Sequence, residues 1–138
     1  MNPQLQQLYK ETLLAHSKSP HGNHELEDAR NATLRNPLCG DEITVYLKTG
    51  DNEHLHVSFT AQACSICVAS ASMMAKELND QTAAQAGELA KRFVSNFKDD
   101  IESLKLEGDL AALSGVHAFP SRIRCATLPW EAAKSLLE

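Results

Sequence analysis

The stretch Ile43-Thr44-Val45-Tyr46-Leu47-Lys48-Thr49-Gly50-Asp51-Asn52-Glu53-His54-Leu55-His56-Val57-Ser58-Phe59 reads as two strands about one turn. Ile43, Val45 and Leu47 alternate with Thr44, Tyr46 and Lys48, and Leu55, Val57 and Phe59 resume the alternation beyond the turn residues Thr49 to Asn52. A period of two is that of a strand with one face on a core, so a β-hairpin is expected. A turn centred between Asp51 and Asn52 would set Cys39 opposite Cys64 and Asp41 opposite Gln62. The chain then leaves the neighbourhood of Cys39 and returns to it just before the next element.

Around the hairpin the periodicity becomes helical. Leu5, Leu8, Tyr9, Thr12 and Leu13 give a helix from Gln4 to His16, opened by Asn2-Pro3 and packed on the core. The polar segment Ser17 to Asn36, broken by Pro20 and Gly22, reads as a loop with a short edge strand around Ala29 to Leu34. From Ser65 small and apolar residues run to Asn79-Asp80 as a helix, with Met73 and Met74 as core filler. Thr82 is a good N-cap for a helix reaching about Asp99, whose stripe is Ala86, Leu89, Ala90, Phe93, Val94 and Phe97. A short helical piece over Gly108 to Leu113 follows, Pro120 reopens the chain, and Pro129 precedes a last helix from Trp130 to Leu137. The order implies an α+β fold, a small antiparallel β-sheet with helices packed on it.

The 138 residues, 43% of them hydrophobic, suit one domain over 1–138 with a core of its own. Met1 to Lys10 carry no signal-peptide apolar run, and nothing approaches the roughly 20 apolar residues of a membrane span. The expectation is a cytoplasmic protein with no membrane partner. A net charge of −5 with thirteen scattered Lys and Arg excludes a nucleic-acid partner, which needs cations gathered on one face. Zinc-hydrolase histidine spacings, a Gly-rich phosphate loop and a Gly-x-Ser-x-Gly elbow are all missing.

In a reducing compartment, four cysteines in a short chain point to metal or sulfur chemistry rather than a disulfide framework. Cys39-Gly40-Asp41 offers a thiolate and a carboxylate two positions apart, with a glycine between them that permits a tight turn. Cys64 stands where the following helix presents free N–H groups, and Cys125 follows Arg122 and Arg124; both settings favour thiolate. Three cysteines and an aspartate are donors of the kind that hold tetrahedral zinc, or iron in a cluster; buried cysteines are otherwise small hydrophobes. Cys64-Ser65-Ile66-Cys67 is formally a redox C-x-x-C, but the βαβ pattern of that fold and the aromatic and proline residues usual around such a pair are missing, and Cys67 reads as a helix-face residue packed on the core. The histidines His16, His21, His24, His54, His56 and His117 read as solvated surface groups.

Three motifs then converge: Asn36-Pro37-Leu38-Cys39-Gly40-Asp41; Ala63-Cys64-Ser65-Ile66 running into Ala69-Ser70-Ala71-Ser72-Met73-Met74; and Phe119-Pro120 with Arg122-Ile123-Arg124-Cys125-Ala126-Thr127-Leu128. In this order they resemble the IscU/NifU N-terminal iron-sulfur cluster assembly family, and most of all its SufU branch. IscU-type scaffolds place a histidine directly before the third cysteine, where this chain has Arg124. The long interval from Cys64 to Cys125, with its helix after Thr82, also fits the SufU branch.

The resemblance implies an IscU/SufU-like fold and a zinc ion on Cys39, Asp41, Cys64 and Cys125. It also implies a pyridoxal-phosphate cysteine desulfurase that docks and passes persulfide sulfur to Cys39, for delivery to downstream cluster-assembly proteins. Such a protein is a transfer partner rather than a stand-alone enzyme. The alternatives are a scaffold holding a transient [2Fe-2S] cluster on the same residues, and a domain whose zinc is purely structural. Arg124 and Cys67 are possible accessory residues. Cys67 departs from the family, which carries a small non-thiol residue there, often serine.

Overall fold

The computed structural model describes residues 3–138. It runs α1 (Pro3–Lys18), β1 (Arg30–Asn36), β2 (Asp41–Thr49), β3 (Leu55–Gln62), α2 (Ser65–Leu78), α3 (Ala83–Asn96), then 3-10 turns at Ile101–Leu104, Gly108–Ala118 and Pro120–Arg122, and α4 (Ile123–Leu137). The strands form one antiparallel sheet in the order β1-β2-β3. The α+β expectation, a small antiparallel sheet with helices packed on it, is met. Asn2, expected to open the first helix, lies outside the described residues.

The hairpin forms, one residue away from the expected register. Glu42 pairs with Gln62 and Thr49 with Leu55, because the loop holds the five residues 50–54. Gly50 N–H bonds the His54 carbonyl at 2.8 Å and Glu53 takes a positive φ of 62°, so the turn is centred on Asn52. The physical reason was within reach of the sequence. Residues directly opposite in an antiparallel pair share a face, and the expected register would have set inward Val45 against Ser58. The observed one sets Val45 against Phe59 and Leu47 against Val57, all buried.

Strand β1 begins one residue and ends two residues beyond the expected edge strand, and places Asn36 opposite Asp41. Its inward positions are Ala32, Leu34 and Asn36, of which Asn36 is fully buried. On the other side of the sheet, the Gly22 carbonyl accepts the Phe59 N–H at 2.8 Å, so the loop after α1 shields the edge of β3. Gly22 has a φ of 73°, and a Cβ there would come to 3.0 Å from that of Ala75.

Helices α2 and α4 pack on each other, and α4 also lies against β1, β2 and α3. Trp130 stacks on Phe93 with ring centroids 4.2 Å apart, and Phe97 stacks behind Phe93 at 4.9 Å. Ser70 ties the two helices with polar bonds: its hydroxyl donates to the Ala126 carbonyl and accepts from Trp130 Nε1 at 3.1 Å. Met73 and Met74 are buried as expected. Helix α3 has the expected Thr82 N-cap, reinforced as a capping box by Gln85, and stops at Asn96, short of Asp99.

Helix α4 corrects the reading of the chain's end. It starts at Ile123 and carries Pro129 inside it, where a start at Trp130 was expected. Proline offers no N–H to the carbonyl four residues back, here that of Cys125, and normally weakens a helix by about 3 kcal/mol. Burial of Cys125, Ala126, Leu128, Trp130, Ala132 and Ala133 outweighs that local preference. Similarly, Gly108–Ala118 is a longer run of turns than expected and includes His117, whose Nε2–H donates to the Phe97 carbonyl at 2.6 Å.

Helix α1 also departs from expectation. Leu8 is exposed, and the helix's one buried residue is His16, at 5% exposure. His16 Nδ1 meets Ser72 Oγ at 2.7 Å and Nε2 meets Asp109 Oδ2 at 2.8 Å, while Ser72 Oγ also accepts the His21 N–H at 2.8 Å. His16 was expected at the surface; His21, His24, His54 and His56 are there.

Candidate metal and sulfur site

The site lies where the three strands end and two helices begin. Asn36 closes β1, and its backbone carbonyl accepts the Cys39 N–H at 3.2 Å while its side-chain Oδ1 accepts the Leu38 N–H at 3.3 Å. Gly40, with φ 69°, then turns the chain into β2. This is the left-handed conformation that glycine adopts at least cost. Asp41 follows as the first inward residue of β2 and is 2% exposed.

A buried carboxylate needs donors, and Asp41 finds one at the next element. Cys64 is the N-cap of α2 but supplies no side-chain cap of its own. Its N–H instead donates to Asp41 Oδ1 at 2.8 Å, which joins the start of β2 to the start of α2 and sets a negative charge at a helix N-terminus. Cys64 Sγ stands 3.9 Å from Asp41 Oδ2.

Cys125 enters from the first turn of α4, fully buried, with its sulfur 3.4 Å from that of Cys39 and 3.8 Å from Asn36 Nδ2. Burial pushes the Cys125 thiol up, and hydrogen bonds to Asp41 and Cys39 act in the same direction. This reverses the expectation that the neighbouring arginines would favour its thiolate: desolvation outweighs them. Arg122, hydrogen-bonded to Cys125 and near the sulfurs of Cys39 and Cys64, is held more firmly protonated. Arg124 is directed elsewhere, with Nε 3.6 Å from Glu131 Oε2.

Cys39, Asp41 and Cys125 thus offer ligand atoms all within 4.8 Å of one another, and Cys64 adjoins them through Asp41. Two sulfurs at about 2.3 Å from one tetrahedral ion stand roughly 3.8 Å apart, so the 3.4 Å between Cys39 and Cys125 suits a shared ion after a shift of a few tenths of an ångström. Cys67, one turn further along α2, is fully buried outside this group. Burial raises its thiol, and the charges of Asp41, Cys64 and Cys39 raise it further. Sequence reasoning missed Asn36, and it named Arg124 as the accessory residue where Arg122 is the arginine that acts on Cys125. The alternation Ala32, Leu34, Asn36 was the available signal for the first.

Comparison with known proteins agrees with this geometry. The family described as NifU-like N terminal domain matches residues 8–126. The chain belongs to that family. It is 36% identical to the zinc-dependent sulfurtransferase SufU of Bacillus subtilis over 95% of this chain and 90% of that one. It is 33% identical to the iron-sulfur cluster assembly scaffold protein IscU of Streptococcus pyogenes, over 97% and 85% of the two chains. In structure it resembles a putative iron-sulfur cluster assembly scaffold protein for the SUF system from Fervidobacterium islandicum, with TM-score 0.77 and 26% identity over 96% and 98%. As a NifU-like domain it has the IscU/SufU-like fold that the three motifs implied. Among its described residues, no helix is long and apolar enough to cross a membrane.

Proposed function

We propose that this protein is a SufU-type, zinc-bound sulfur acceptor in iron-sulfur cluster assembly, one domain over residues 1–138 working in the cytoplasm. The observation that carries the reading is the convergence of Cys39, Asp41 and Cys125 within 4.8 Å, with the buried Asp41 carboxylate held against Cys64. The 36% identity to a sulfurtransferase named as zinc-dependent supports it.

Cys39, Asp41, Cys64 and Cys125 would hold the zinc, which when bound favours thiolate over thiol. Cys39 is the acceptor because it is partly exposed while Cys125 is buried, and because it sits beside Leu38, which is 91% exposed. Its thiolate attacks the outer sulfur of a persulfide on a pyridoxal-phosphate cysteine desulfurase. A new S–S bond forms on Cys39, the donor's S–S bond breaks, and the donor's thiolate leaves with the electron pair. Arg122 balances the negative charge gathered there. The sulfur then passes to downstream cluster-assembly proteins.

A second reading, a scaffold that assembles a transient [2Fe-2S] cluster on the same four residues, is favoured by the similarity to the Streptococcus pyogenes scaffold protein. Purification without oxygen followed by metal analysis separates zinc from iron. Mass spectrometry after incubation with desulfurase and cysteine is expected to show one added sulfur on Cys39, and none in Cys39→Ala. Zinc retained with no sulfur on any cysteine would leave a purely structural metal site.

A further inference from the structure

We infer that Cys64 and Cys67 form a reversible disulfide when peroxide reaches the emptied site, so that the four thiols close in two pairs, Cys39 with Cys125 and Cys64 with Cys67. The sulfurs of Cys39 and Cys125 already stand 3.4 Å apart, within about 1.4 Å of a bond length of roughly 2.05 Å. Cys64 occupies the N-cap of α2 with an extended backbone, φ −66° and ψ 165°, and Cys67 lies three residues on in the first turn. Residues three apart on a helix have Cβ atoms about 5–6 Å apart, and a disulfide needs roughly 3.5–4.5 Å. The Cys64 carbonyl accepts the Val68 N–H at 3.0 Å and its own N–H is held by Asp41, so closing the pair needs the first turn of α2 to tighten by about 1–2 Å.

Exposure assigns the two roles. Cys64 is partly exposed and meets the oxidant, whereas Cys67 is fully buried behind it and is shielded. The Cys64 thiol takes one oxygen of hydrogen peroxide as a sulfenic acid, and the other oxygen leaves as water. The Cys67 sulfur then attacks the Cys64 sulfur, the S–O bond breaks, and hydroxide departs with the Cys67 proton as a second water. Two thiols have lost two electrons and two protons, and one peroxide has been reduced to two waters. A dithiol reductant reverses the change.

Parity explains what a fourth cysteine adds to this chain. Three thiols cannot all pair, so one is always left to overoxidise; four can. Loss of Cys64 from the donor set would also keep a metal ion from rebinding, a consequence that rests on the function proposed above. The pairing itself does not.

Tryptic peptides separate the pairings, since Cys64 and Cys67 share residues 49–76 while Cys39 lies in 36–48 and Cys125 in 125–134. The full chain, stripped of metal by a chelator, is treated with rising hydrogen peroxide, alkylated and digested. Peptide 49–76 is expected to lose two hydrogens and take no label, with 36–48 joined to 125–134. Cys67 labelled throughout, or 49–76 joined mainly to either other peptide, overturns the inference. Dithiothreitol should then recover all four thiols of the parent but about two of three in Cys67→Ser, with Cys64 as sulfinic acid; recovery of all three in the variant also overturns it. Cys67→Ala repeats the measurement should the serine variant fold poorly. Sulfur acceptance by Cys39, measured on the reduced protein, stands or falls separately.

Discussion

Two polar clusters, each built around buried side chains, join distant parts of this molecule, and they differ in what they leave unused. In the first, His16, Ser72, Asp109 and the His21 N–H form a closed circuit with contacts of 2.7–2.8 Å. In the second, Asn36, Asp41, Cys39, Cys64 and Cys125 meet mostly through sulfur at 3.4–3.9 Å, with one strong bond from the Cys64 N–H. The first has matched its donors and acceptors and acts as a brace for α1. The second has bonding capacity left over, which is what a binding site requires.

The largest effect that would sharpen this contrast is at Asp41. Asp41→Ala removes a donor atom and strands the Cys64 N–H, so zinc affinity is expected to fall at least 10–100-fold, the loss typical of a disturbed metal site. Competition with a chromogenic chelator measures it; unchanged affinity would move Asp41 out of the donor set. Next is His16→Ala, which leaves buried Ser72 short of a partner and is expected to cost about 1–3 kcal/mol in urea unfolding, with zinc affinity unaltered. A joint loss of stability and zinc would merge the two clusters into one.

The smallest effect is on the pH dependence of stability. The hydrogen bond from His16, together with the charges of His16 and Lys76, holds Asp109 below the usual carboxylate range. A carboxylate depressed in the folded state contributes stability above its unfolded value of about 3.9, and that contribution is lost as pH falls through the folded value. Asp109 is half-exposed, so the contribution is small. Asp109→Asn should therefore lower the urea midpoint slightly at pH 6 and leave it unchanged near pH 2. An equal drop at both would assign the effect to shape rather than charge.

Much of this could be read from the residues. Alternation over Ile43 to Phe59 gave the hairpin, Thr82 gave the start of α3, and the nearness of Cys64 to Asp41 followed from the two ends of the hairpin lying together. What escaped depended on contacts distant in sequence. Pro129 looked like a helix start because its cost is local, while the burial that overrides it comes from α2, α3 and the sheet. His16 looked like a surface residue because its partners lie 56 and 93 positions away. The one-residue slip in register was avoidable, since only pairings that keep Val45 and Phe59 on one face satisfy both strands.

The two oxygens of Asp41 divide their work. Oδ1 is committed to the backbone of Cys64, and Oδ2 faces the sulfurs. Whatever occupies the site can therefore come and go while the join between strand and helix stays fastened. The bond that fastens β2 to α2 is thus separate from the oxygen turned toward the site.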